Sequence, residues 1–315
     1  MSKMLQQMLF IISLFILSSC VKENEDCRTF ITFVYDKHMQ SGDLFVEKVS
    51  EVTLYVFDEG GKYLKTITAN KNSLIDGSTV ELGLPKYKTY TFLAWCGANS
   101  TYRVSDLKVG ETRYEEVELQ LSGSRDKIQG FSAKLDELYH GILENVLLES
   151  DEKKHVLFLT KNTNKIRFVL QQYNAETRAD GFHLGDYTFE LLSANGTLDH
   201  LNERAGADII NYTPYDSAGI HSGGWVEINT NRLFANEDFR FVVTRRKDSK
   251  KVFDISLRDY VLLTNMEGND WSAQEYLDRQ DRYLIVFFYS SLENGWSASQ
   301  IVINDWVVYK SNEEL

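Results

Sequence analysis

Proline is almost missing from this chain of 315 residues: there are 2, together with 19 glycines. That scarcity excludes collagen-like repeats and proline-rich linkers. Basic residues are in deficit as well, 34 Lys+Arg against 46 Asp+Glu, for a formal net charge of −12. A nucleic-acid partner is excluded on that balance, because neutralising phosphates takes a basic surface. Cysteine occurs at Cys20, Cys27 and Cys96 only, with no CxxC pair and no Cys/His spacing suited to zinc. No apolar run reaches the ~20 residues that cross a bilayer as a helix. Familiar catalytic signatures are missing: there is no phosphate-binding glycine loop, no HExxH and no GxSxG elbow. The six histidines (His38, His140, His155, His183, His200 and His221) are scattered without i,i+4 pairing, so surface or capping roles are expected of them and no metal is.

What the chain has in quantity is aromatic side chains, 17 Tyr, 18 Phe and 5 Trp, which favour half-buried pleated surfaces. At its start, residues 8–17 (MLFIISLFIL) follow a polar stretch with Lys3 and fit the h-region of a signal peptide. Next comes Leu17-Ser18-Ser19-Cys20, which resembles the lipobox of bacterial lipoproteins. There the cysteine thiol takes a diacylglyceryl group, and the small residues before it admit a peptidase. Several acyl chains on one terminus hold a protein stably on a membrane, where one chain holds it marginally. The acidic run from Val21 to Asp26 resembles the signal that routes lipoproteins of Bacteroides-type bacteria to the outer face of the outer membrane; its other reading is a solvated tether. Residues 1–19 are therefore expected to be a signal peptide and residues 20–27 a lipid-anchored tether. The covalent lipid on Cys20 is the only non-protein group expected, and the outer membrane, with surface exposure, the expected location. An exported compartment permits Cys27 and Cys96 to pair, stapling the first strand to a later one; two buried free thiols are the alternative, and both stay open.

From residue 28 the pattern reads as strand after strand. Residues 28–35, 49–57, 62–68, 79–84 and 87–95 are rich in β-branched and aromatic residues, with a Gly60-Gly61 turn making a hairpin of the second and third. Residues 114–121 alternate acidic and apolar, like a strand with one wet face. Leu135, Leu138 and Tyr139 suggest a helical turn, and residues 149–155 a charged loop. Strands resume at 156–160, 165–173, 187–192, 224–229, 239–245, 252–257, 283–289 and 300–309, with an Asn195-Gly196 turn and short helices at 258–263 and 273–280. Short strands at this spacing point to sandwiches, so the expected fold is all-β, two tandem β-sandwich domains over 28–150 and 151–315 with a few short helices.

Site candidates are few. The oxygen-rich segment 265–270 (NMEGND) lacks the full EF-hand pattern and reads better as a turn than as a Ca²⁺ loop. Trp225 and Trp296, with Trp271 and Trp306, are candidates for stacking on sugars, although packing is the commoner use of tryptophan. No motif supports hydrolysis, and the chain is expected not to be an enzyme.

Six segments carry a resemblance in order along the chain: CRTFITFVY (27–35), VSEVTLYVFDEGG (49–61), YTFLAWCG (90–97), DELYHG (136–141), LTKNTNKI (159–166) and QEYLDRQ (274–280). Together with the last strand they resemble the FimB-type family, fimbrillin-associated anchor lipoproteins of Bacteroides- and Porphyromonas-type bacteria. The resemblance implies two transthyretin-like sandwiches, lipid on Cys20, and a non-catalytic anchor that holds a fimbrium on the outer membrane and limits its length. It also implies fimbrial shaft or accessory pilin subunits as partners, and pairing of Cys27 with Cys96. Assembly by strand addition fits such a fold. Residues 311–315 are too few to donate a strand of ~5–6 residues, so this subunit is expected to receive a strand or dock by a surface. The alternative is a surface glycan-binding lipoprotein of a polysaccharide-uptake system, with Trp225 or Trp296 in its platform.

Overall fold

The computed structural model describes residues 28–122, 131–132, 134–149, 154–172, 183–220, 223–265, 270–292 and 295–310. In the first half the strands are β1 (Phe30–Val34), β2 (Glu51–Phe57), β3 (Tyr63–Asn70), β4 (Thr79–Glu81), β5 (Thr89–Cys96), β6 (Tyr102–Val104), β7 (Leu119–Leu121), β8 (Tyr139–Leu147), β9 (Lys154–Phe158) and β10 (Thr160–Lys161). A three-stranded sheet, β4-β1-β9, packs on a five-stranded one, β10-β8-β5-β2-β3. The second half contains β11 (Thr163–Gln172), β12 (Tyr187–Ser193), β13 (Thr197–Leu198), β14 (Ile210–Tyr212), β15 (Asp216–Ile220), β16 (Gly223–Asn231), β17 (Arg240–Arg245), β18 (Lys250–Ser256), β19 (Arg282–Leu292), β20 (Gly295–Ile303) and β21 (Trp306–Lys310). Here a six-stranded sheet, β15-β16-β11-β19-β20-β21, faces a four-stranded one, β14-β12-β17-β18. Three short helices occur among the described residues: α1 (Phe45–Lys48), α2 (Arg258–Leu262) and α3 (Ala273–Arg279). The fold is all-β, with two sandwiches in tandem, as expected.

The halves are joined more closely than beads on a string. Successive strand residues point to opposite faces, and along β5 both faces are buried. Tyr90, Phe92, Ala94 and Cys96 enter the first core with Val52, Leu54 and Val56. Leu93 and Trp95 enter the second with Phe57, where they join Phe168, Phe241 and Phe287. Past residue 150 the chain still belongs to the first sandwich: β9 lies parallel to β1, from Phe30↔Lys154 to Val34↔Phe158. A small sheet, β13-β7-β6, bridges the two halves.

Several local expectations give way to these packing demands. Residues 135–139 form no helical turn, because Leu135 and Leu138 are buried and Tyr139 pairs with Cys96 at the start of β8. The stretch 114–121 begins as a 3₁₀ turn at Tyr114–Glu116, with Arg113 N donating to Glu116 Oε2 at 2.9 Å, and becomes strand only at β7. The single strand expected over 300–309 is two, turned by Asn304 and Asp305 at φ +47° and +70°, which these short polar side chains tolerate. Asn195-Gly196 lies in the connection between β12 and β13, as expected, with Asn195 fully buried. Two glycines of the recognisable segments answer to close approach: a Cβ on Gly97 (φ +82°) would fall inside the Glu137 carbonyl, and one on Gly141 would sit 2.7 Å from Phe158 O.

Candidate functional site

Cys20 and Cys27 lie outside the described residues. Cys96 is a free, fully buried thiol, pushed up to about 12 by burial. Its strand partner Tyr139 packs its ring 5.0 Å from that of Tyr35, just past the end of β1. Arg28, bonded directly to Cys27, is at the other end of that strand, 3.6 Å from Glu81.

Trp225 and Trp296 do not share a platform. Trp225 is on the outer face of the six-stranded sheet, with the Arg167 guanidinium 4.4 Å from its ring centroid. Trp296 points into the core side, 4.3 Å from Tyr289 and 4.9 Å from Tyr187. Trp271 stacks against Arg279 at 4.7 Å, and only Trp306 is mostly exposed, at 51%. The histidine expectation also needs correcting: His38 and His140 are buried, and His140 Nε2 meets the His200 carbonyl at 2.9 Å. Most of segment 265–270 falls outside the described residues; the Asn265 amide donates to Trp271 O at 3.4 Å.

One cluster that sequence reasoning missed is the joint between the sandwiches. Ser272 caps α3 by accepting from Glu275 N at 3.1 Å. The helix thereby presents Asp278, whose side chain is buried, to Arg232 (2.7 and 3.0 Å) and Lys37 (2.9 Å). Burial raises the Asp278 carboxyl, but Arg232 and Lys37 outweigh it and hold the group below the usual range. Arg279 adds bonds to the carbonyls of Asp36 and His38, and buried Lys161 bridges Asp281 (2.6 Å) and Glu137 (2.8 Å). Behind them buried asparagines interlock. Asn162 and Asn202 exchange amide bonds of 2.7 and 2.9 Å, and Asn195 donates to Thr230, Asn231 and Arg232 while accepting from Tyr212. The cleft of about 270 Å³ beside the joint, lined by Lys48, Glu51, Asn99, Asp136, Glu137 and Tyr139, has Asp136 and Glu137 already engaged by Asn99 and Lys161. This machinery holds two bodies together.

The other feature is an open sheet edge. β21 pairs with β20 on one side, and among the described residues no strand pairs with its other side. Along it Trp306 (51%), Val307 (57%) and Tyr309 (37%) are exposed, while Val308 packs on the core. Tyr309 meets Tyr260 of α2 edge-on at 6.3 Å. β21 is short, five residues ending on Lys310, but an apolar edge with an open side is a template for another extended chain.

Comparison with known proteins agrees with this picture. A sequence profile of the family described as fimbrillin-A associated anchor proteins Mfa1 and Mfa2 matches residues 24–312. The minor fimbrium anchoring subunit Mfa2 of Porphyromonas gingivalis is 20% identical over 308 residues, 95% of this chain and 92% of that protein. A crystal structure from Bacteroides thetaiotaomicron, described as a candidate polysaccharide-binding protein, is 33% identical with a TM-score of 0.81, covering 91% of this chain and 99% of that one. A candidate adhesin from Bacteroides ovatus is 26% identical with a TM-score of 0.78, over 94% and 100%. The P. gingivalis Mfa2 structure shares the fold at 17% identity and a TM-score of 0.70, over 90% and 99%.

Proposed function

This chain belongs to the family of fimbrillin-A associated anchor proteins, and from that membership we propose that it is a non-catalytic outer-membrane lipoprotein that fixes a fimbrium to the cell surface and limits its length. Acylation of Cys20 supplies the membrane hold, two or more chains being enough for stable attachment. Residues 21–27 then carry the sandwiches clear of the lipid. The observation that supports the fimbrial half of the reading is the edge of β21, where Trp306, Val307 and Tyr309 are exposed and no strand among the described residues pairs with the outer side. A shaft or accessory pilin subunit engages there, main-chain bonds giving affinity and side chains giving choice. The second reading, a glycan-binding lipoprotein, draws on the description of the 33%-identical Bacteroides thetaiotaomicron protein, and with Trp225 and Trp296 on opposite faces its platform would use one of them and not both.

Deleting the gene is expected to release fimbriae into the medium and to lengthen them, as seen by electron microscopy. Cys20→Ala should move the protein out of the membrane fraction and reproduce the shedding. Fibres that stay tethered at normal length on the deletion strain would overturn the anchor assignment.

A further inference from the structure

The outer face of the six-stranded sheet carries a row that solvent does not call for. Ala218 on β15 lies opposite Trp225 on β16, Trp225 opposite Val169 on β11, and Val169 opposite Val286 on β19. Val286 then lies opposite Val302 on β20, and Val302 opposite Val307 on β21. One apolar residue per strand, in register, thus crosses all six strands, about 24 Å at ~4.8 Å per strand. On a face over which the described residues lay no second sheet, alternation ordinarily places polar residues in such positions. Packing between neighbours in the row leaves Val169, Val286 and Val302 half-buried, yet Val307 is 57% exposed. It has a neighbour on one side only.

The two ends of the row differ. At β15 it finishes on a small residue, Ala218, flanked by Ser217 and Gly219, and offers little to pack against. At β21 it finishes on a valine beside a free edge. Of the other edges, β18 carries Lys250, Lys251 and Asp254, and the start of β3 is tied to a loop by Tyr63 N to Thr112 O and Gly110 N to Tyr63 O, 2.8 Å each, while β9 also exposes Val156 (40%) and Phe158 (59%) but carries no such row across its sheet. Cross-strand apolar pairs fix register, and a slip of one residue would turn the incoming side chains to the wrong face.

We propose that Val307 is the register-setting contact for the fimbrial subunit: the extended segment that joins β21 carries an apolar, preferably β-branched, residue directly opposite Val307 and so extends the row to a seventh strand. The inference rests on the reading of β21 as the pilin-facing edge and adds the chemistry of the segment that edge selects. Because the row runs across the strands, the requirement is the same whether the segment enters parallel or antiparallel.

The test uses the full-length protein, tagged and purified from membranes, with fimbriae sheared from the deletion strain as the probe. Val307→Asp is expected to lower capture of the shaft subunit at least tenfold and Val307→Thr several-fold, with Val307→Ile within twofold of the parent. Ser217→Asp, at the opposite edge, should leave capture unchanged. A photo-crosslinking residue at 307 should join the subunit through an apolar residue of an extended segment, identified by mass spectrometry. If Val307→Asp folds poorly, the threonine variant and the crosslink decide. Capture by Val307→Asp or Val307→Thr equal to the parent, or a crosslink to a polar or helical segment, overturns the inference even when gene deletion sheds fibres. Tethered fibres on the deletion strain instead defeat the anchor reading itself.

Discussion

His140 illustrates what position does to a single side chain. Its ring is 4.5 Å from that of Trp95, and burial pushes the imidazole from its ordinary 6.5 down to about 3, the bond to the His200 carbonyl only partly opposing this. The folded protein therefore keeps His140 neutral, while the unfolded chain takes up a proton below pH 6.5. This contribution to stability is complete above that pH and is lost as pH falls towards 3, on the order of 3 kcal/mol between pH 6.5 and 4. Urea unfolding followed at a series of pH values should show that decline, and His140→Gln should flatten it. An equal slope in the variant would contradict the assignment. Nothing in the sequence around His140 announces burial: the isolated histidine of LYHG reads like any surface one, and only the second core on the far face of β5 encloses it.

At the scale of elements, α3 matters beyond its seven residues. The helix itself was expected, at 273–280. What Asp278 meets was not, because Arg232 and Lys37 come from strand ends 46 and 241 residues away in sequence. Asp278→Ala removes the carboxylate those two cations share and leaves buried Arg232 only Glu203, at 3.5 Å, at a cost of about 3–5 kcal/mol. A fall in the urea midpoint measures it, and a loss under about 1 kcal/mol would show the joint to be decorative. Hairpins were legible for the same reason the joint was not. The Gly60-Gly61 turn and the alternation on each side of it are local, and β2 and β3 pair as expected. The Asn195-Gly196 connection was legible too, but not the burial of Asn195, because the carbonyls of Asn231 and Arg232 that satisfy its amide are distant in sequence.

For the whole molecule, the arithmetic of length suggested two independent sandwiches, and the element pattern agreed. The five-stranded sheet changes their relation, because each face of β5 serves a different core. Separating the halves would bare Phe57, Leu93 and Trp95. Calorimetry on the full chain should accordingly record one unfolding transition, and two well-separated ones would mean the shared layer does not couple them. The proposed attachment cysteine, by contrast, rests on the order of h-region, small residues and thiol, a pattern local to the start of the sequence. One last consequence concerns force. β1 is separated by two residues from the proposed tether, residues 20–27, and is clasped between β4 and β9, with its pairing to β9 parallel over Phe30–Val34. Parallel bonds are evenly spaced, so tension applied at Arg28 along the strand meets them all at once, in shear. The first strand then has to slide out as a unit, where a strand peeled from its end would unzip one bond at a time.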